Sequence, residues 1–456
     1  MLVTAADRVD LGGDLTEFAL TWAGEPITTG LPVAFNQANH LRAQQQGPSA
    51  WLAGTVRLPD STPDQTRLVE LITRILGEHD ALRARFRFAD TAGTPCQDVF
   101  DSAQLQVTPH HEGRVAHEYT ESLIADRCHA GDAPGLFFAL LDNTLVCALD
   151  HAHADAATID MLLRRAVQLY RDPQSPAIAT RSFADRCVAE DGGTSVLACD
   201  EAGTATASPD DLMQVWRDFF ARTGGELPTF PLDLGADRAP QRTVVLHVID
   251  DADIETILGE RPFATLLATL ATTVAENGGP HQLATLIPIH TRGPRDSGWH
   301  ETAGWMVSNA PVIVEAGDPT SAQMWLRHAA QLSVLPLESV LAECRPRFGS
   351  ADIFMVSYLD YRKMGPPLPD AHHISAVTST DTAQLWFSRT ASGIDLRVRY
   401  PSLPEADAVM TRVLDDFGRH LGSGHIVGQA SAGDSKQTAA QIISPQGQSP
   451  SARAAG

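Results

Sequence analysis

No apolar stretch in the 456 residues approaches the roughly 20 needed to cross a bilayer, so no membrane-spanning helix is expected. Basic residues are scarce. The chain has 34 Lys+Arg against 56 Asp+Glu, a formal net charge of −22. A surface that acidic repels phosphate backbones, and no Lys/Arg cluster offsets it, so nucleic acid is not an expected partner. Cysteine is sparse as well. Cys96, Cys128, Cys147, Cys187, Cys199 and Cys344 lie far apart and form no CxxC pair. That excludes a disulfide frame or zinc ribbon and predicts reduced thiols. Met1 to Gly13 is interrupted by Asp7, Arg8 and Asp10 and lacks an apolar signal core, which predicts a cytoplasmic protein.

What is present supports a packed core: 43% of residues are hydrophobic and 20% charged. The length suits two to four domain-sized units or one two-lobed body. Strands and helices mix throughout, so the expected class is α+β. Thr16–Trp22 reads as a strand. Thr62 can cap a helix with Pro63 at its first position, and Leu68, Leu71, Ile72, Ile75 and Leu76 repeat at helical spacing. Leu82–Phe88 alternates apolar and basic residues, the period of a half-buried strand. Asn143–Leu149 reads as a strand, and Ile159, Leu162, Leu163, Ala166, Val167 and Tyr170 return to helical spacing. Further on, strands are expected at Thr243–Ile249, Leu283–Ile289, Val307–Val314 and Ile353–Leu359. A hairpin is expected over Leu385–Tyr400, turning near Ser392-Gly393. Helices are expected at Pro262–Glu276 and Pro404–Leu421. Composition divides the chain into a lobe at 1–190, a linker or mobile loop at 191–209, a second lobe at 210–421 and a disordered tail at 422–456.

Between the strand ending at Leu149 and the helix starting near Ile159 lies Asp150-His151-Ala152-His153-Ala154-Asp155-Ala156. A histidine at a strand end, projecting into a cleft, suits a general base with a pKa near neutrality. A carboxylate four residues later can fix the turn by pairing with an arginine from elsewhere. Acyl transfer from a thioester needs such a base, donors for an oxyanion, and two substrates held together.

The segment resembles the HHxxxDG motif of peptide-synthetase condensation domains. It also resembles the HxxxD motif of the wider CoA-dependent acyltransferase superfamily, including the Pap-type acyltransferases. His151 falls on the motif's second histidine and Asp155 on its aspartate. Asp150 stands where the first histidine would be, and Ala156 where the glycine would be. Three further segments occur in the family's order. Leu76–Phe86 is similar to "xHxALRxxF", Ala303–Val312 to "GxFxNTxPV", and Val356–Arg362 to the "SYxDxR" of the Pap-type branch. The resemblance implies two chloramphenicol-acetyltransferase-like lobes in a V-shaped pseudo-dimer with a tunnel between them. It implies His151 as general base, Asp155 as a structural partner of an arginine, here Arg292, and Asp150, His153, Trp305 and Asn309 as candidates for the tunnel wall. The activity implied is a stand-alone acyltransferase of specialised metabolism, of the kind found in nonribosomal peptide and polyketide assembly. It would move an acyl group from CoA, or from a phosphopantetheinyl carrier protein in trans, to a hydroxyl or amine, with no bound cofactor or metal.

Other readings compete. His151-x-His153-x-Asp155 is also the opening of the HxHxDH zinc motif of metallo-β-lactamase-like hydrolases, since in extended backbone both imidazoles would share a face. The final histidine of that motif is Ala156 here. Asp150 and Ala156 also admit a non-catalytic recruitment module, or a scaffold repurposed for cyclisation, elimination or isomerisation. The doublets His110-His111 and His372-His373 lack a carboxylate at the right spacing and are expected on the surface.

Overall fold

The computed structural model describes residues 2–422 except 46, 48, 90–92, 132–133, 193–206, 236–237, 333–334 and 351. The expected linker at 191–209 falls mostly outside the described residues, and so does the expected tail at 422–456. The last part of that linker is not loop. Ser208 accepts from Asp211 N and caps the helix Pro209–Arg222.

The class is α+β. The widest sheet runs Leu2–Ala5, His372–Ser375, Trp51–Arg57, Thr144–Asp150, Leu136–Leu141, Gly13–Trp22, Leu105–Val115. One strand, His372–Ser375, comes from late in the chain. It pairs in parallel with Leu2–Ala5 and antiparallel with Trp51–Arg57, so early and late sequence share one hydrogen-bonded sheet. A second sheet is built of Val356–Asp360, Gln384–Arg389, Gly393–Pro401, Ala239–Asp250 and Ser379–Thr380. Beside it lies the hairpin Gln282–His290 with Val307–Glu315, joined by a bridge from Leu286 to Met355. No helix among the described residues is long and apolar enough to cross a membrane.

Three helices pack around the motif, α1 (Phe35–Gln44), α2 (Gln65–Glu78) and α4 (Ala156–Arg171), while α3 (His117–Arg127) lies against the strand Leu136–Leu141. The apolar stripes of α2 and α4 are buried together against one face of the seven-stranded sheet. Trp299, Ala303 and Met306 from the later sequence complete that core. The cap of α2 is Asp64 and not Thr62, because its carboxylate accepts from both Thr66 N and Arg67 N. The expected strand at Leu82 begins later. Asp80–Arg83 forms a 3-10 turn, and the strand is Ala84–Phe88. Helices α1 and α3 carry weak apolar periodicity. The one buries only Gln37 and Leu41, the other only Thr120 and Ile124, so neither stands out in the sequence.

Gly54, on the strand Trp51–Arg57, lets α4 approach the sheet. A Cβ there would lie 2.6 Å from Ile159 Cγ2 and 2.8 Å from Leu163 Cδ1. The strand carrying Gly54 pairs with the one that delivers Asp150, and α4 begins at the far side of the same turn. Gly54→Ala is therefore expected to push α4 outward and destabilise the chain by about 1–3 kcal/mol. A lower urea midpoint at unchanged slope is the expected result, and an unchanged midpoint would refute the close-packing account.

Candidate active site

Thr144–Asp150 ends in a single 3-10 turn, His151–His153, before α4 begins. The turn places the His151 ring half-buried against Trp305, with ring centroids 3.8 Å apart and planes 20° from parallel. His151 Nδ1–H donates to the Ala154 carbonyl at 2.9 Å. A carbonyl can only accept, so this bond fixes the tautomer and leaves the Nε2 lone pair free. No partner of Nε2 exists among the described residues. Burial, with a smaller contribution from His40, holds the His151 pKa down to about 4, so the ring is neutral at neutral pH.

Two buried carboxylates flank this turn. Asp155 caps α4, accepting from Thr158 N at 2.8 Å. Arg292 donates to its two oxygens at 2.6 and 2.9 Å, and Met306 N donates to it at 3.1 Å. Arg292 also reaches Thr158 Oγ1 at 3.0 Å. Burial alone would raise the Asp155 pKa, but the Arg292 guanidinium and the Thr158 donors more than offset this and hold it below the usual range. The structure thus brings Asp155 and Arg292 together as an ion pair behind the turn. Gly304, next to Trp305, fits under Phe183: a Cβ there would stand 2.5 Å from the ring.

Asp150 is not a wall residue of an open passage, as the sequence suggested, but a fully buried anchor. It accepts from Ala152 N at 2.8 Å, Ala130 N at 3.2 Å, Gln44 Nε2 at 2.9 Å, His40 Nε2 at 2.8 Å and the Ser49 hydroxyl. Burial opposes ionisation, but these donors, led by His40, bring its pKa to about 2. His153 also departs from expectation. It is fully buried, donates to Ala81 O at 2.8 Å and packs on Phe86. The premise of the zinc reading fails with it, because a 3-10 turn points residues 151 and 153 apart where an extended strand would align them. Ala156 opens α4 in helical conformation, so the motif's glycine is not required here.

Trp305 faces the imidazole. Asn309 is half-buried on Val307–Glu315, opposite Pro288, and makes no side-chain hydrogen bond among the described residues. His373 is buried and not on the surface as expected. Its Nδ1 stands 3.5 Å from the Tyr361 hydroxyl, and burial lowers its pKa to about 3. Tyr361 in turn walls a cavity of about 730 Å³ between Asp160 and Arg164 of α4 and the 390–392 turn. The "xHxALRxxF" segment is structural. His79 Nδ1 accepts from Ala303 N at 3.4 Å, and Asp80 accepts from Ser182 Oγ, Phe183 N and Ala184 N.

Sequence reading missed α1 altogether. Asn36 donates to Val307 O at 2.6 Å, Gln37 to Ala152 O at 2.7 Å, and His40 lies beside His151, with ring centroids 6.2 Å apart. No local pattern marks these residues, because their partners lie more than a hundred positions away.

No family model matches this chain, and no curated protein matches it. Solved structures do. The chain is similar to a PapA2 acyl transferase at TM-score 0.78 and 17% identity, covering 92% of this chain and 99% of that one. It is similar to the epimerization domain from the third module of tyrocidine synthetase B at TM-score 0.63 and 14% identity, covering 88% and 97%. It is similar to the condensation domain of the Monacolin K polyketide synthase at TM-score 0.62 and 14% identity, covering 90% and 99%. The fold is that of condensation domains and Pap-type acyltransferases.

Arg292→Met leaves the Asp155 charge buried without its partner, and the expected loss is about 3–5 kcal/mol by urea unfolding at pH 7. The carboxyl's folded pKa is depressed, so the pair's contribution is present above the ordinary value and lost as pH falls through the lowered one. The gap between wild type and variant should therefore shrink as pH falls, starting above the ordinary carboxyl value of about 4, because burial without the guanidinium raises the carboxyl's pKa in the variant. A gap of less than about 1 kcal/mol at pH 7 would show the pair to be dispensable.

Proposed function

We propose that this chain is a condensation-type acyltransferase that moves an acyl group from a CoA or carrier-protein thioester to a hydroxyl or amine, with His151 as general base. The observation that carries this reading is the committed Nδ1–H of His151, which leaves a neutral imidazole with an open Nε2 lone pair. Nε2 takes a proton from the nucleophile as it attacks the thioester carbonyl. A tetrahedral intermediate forms, the C–S bond breaks, and the imidazolium returns the proton to the departing thiolate. The Trp305 face holds the ring in plane. Asp155 and Arg292 neutralise each other behind the turn, so their role is to fix its shape. The thioester is a co-substrate, and this chemistry calls on no resident cofactor. The proposed setting is the cytoplasm, with any carrier protein supplied in trans. The likeness in fold to a PapA2 acyl transferase and to a polyketide-synthase condensation domain supports the reading.

The test is thiol release from a panel of acyl-CoA and acyl-carrier donors. His151→Ala is expected to lower kcat/KM by about 10²–10⁴-fold with the fold intact. The folded pKa of His151 is lowered, so the base is lost only as pH falls toward about 4. The acid limb of kcat/KM should accordingly lie well below the ordinary histidine value of about 6.5. A folded wild type that consumes no donor yet binds a synthetase domain would replace this reading with recruitment.

A further inference from the structure

We infer that His40, backed by Asp150, is a second base of this site, and that the acceptor is an amine arriving as an ammonium ion. This rests on the acyl-transfer reading above and narrows its acceptor. His40 Nε2–H donates to Asp150 Oδ1 at 2.8 Å, which leaves Nδ1 as the ring's other nitrogen. Nδ1 has no partner among the described residues, and the side chain keeps 8% of its surface open. The ring centroid lies 6.2 Å from that of His151 and 6.0 Å from that of Trp305. At this spacing both imidazoles are within reach of one small bound group.

The two rings are backed differently. His151 leans on a neutral carbonyl, whereas His40 leans on an ionised, fully buried carboxylate. A carboxylate behind an imidazole stabilises the imidazolium once it forms. The ionisable groups facing His40 are Asp150, His151 and His153, with Gln44 and Ser49 completing the carboxylate's shell.

A hydroxyl has one proton to give up, and a single base suffices. An alkylammonium, with a pKa near 10, must give up two. In the proposed step the ammonium passes one proton to His40 Nδ1. The freed lone pair attacks the thioester carbonyl carbon, the C–N bond forms and the C–S bond breaks. The second proton moves through His151 Nε2 to the thiolate. His40 then releases its proton to solvent at its open edge. The balance is ammonium plus thioester giving amide, thiol and one proton.

The experiment uses the full chain, an acyl-CoA donor that the panel above shows to be consumed, and matched primary amines and alcohols on one carbon skeleton. Thiol release should favour the amines. His40→Gln keeps a donor for Asp150 but no base. It should lower kcat/KM for the amine about 10²-fold at pH 7, with the loss shrinking to a few-fold at about pH 9–10, where the amine arrives deprotonated. A loss that is the same at every pH would make His40 a mere support of Asp150 and overturn the inference. So would transfer to alcohols alone, which leaves the acyl-transfer reading standing. Loss of all thiol release in His151→Ala, with amine preference in the wild type, supports both. If His40→Gln fails to fold, His40→Asn and the wild-type acceptor preference decide the same question.

Discussion

Asp155 and Arg292 lie 137 positions apart, and neither charge could stay in the interior alone. Their ion pair joins the motif turn to the segment carrying Gly304, Trp305 and Met306. Met306 N donates to the carboxylate, and Arg292 reaches both Thr158 Oγ1 and Gly304 O. Trp305 is thereby held against His151. The stacking of His151 on its aromatic neighbour depends on an electrostatic joint formed behind it.

The site has a simple electrical plan. One buried carboxylate on each side of the turn is neutralised by a different device. Asp155 meets a guanidinium in a bidentate pair, the geometry best suited to a dry carboxylate. Among the described residues Asp150 meets no arginine. It is held by backbone amides, Gln44, Ser49 and His40. Between them the His151 ring is desolvated and neutral, which keeps its lone pair free and lowers its basicity at the same time.

Much of the architecture was legible in the sequence. Helix Pro262–Glu276 matches its expected bounds, and α2, α4 and Pro404–His420 follow their apolar stripes, because a buried helix face must repeat every three to four residues. The strands ending at Asp150 and starting at Val307 were equally plain. Helix α1 was not, since its buried face is Gln37 and Leu41 and its polar side chains are satisfied from afar. Asp150 and His153 were misplaced for a related reason. Their neighbours in sequence predict an extended strand, but Asp150 caps the turn through Ala152 N and rotates His153 into the core.

The sequence by itself determined the elements with a strong apolar stripe, and it marked the turn where the chemistry is proposed to sit, because periodicity, caps and motif spacing are local properties of the chain. The pairing of Asp155 with Arg292 came from the family resemblance of the motif segments and not from the chain's own patterning. Only the tertiary structure decided which ring nitrogen of His151 is open, which histidines are sealed, and that a second imidazole stands beside the first. Those outcomes depend on Ala154 O, Ala81 O, Trp305 and the Asp150–His40 contact. Except for the bond to Ala154, these are contacts between residues distant in sequence, and a contact of that kind exists only after the chain has folded.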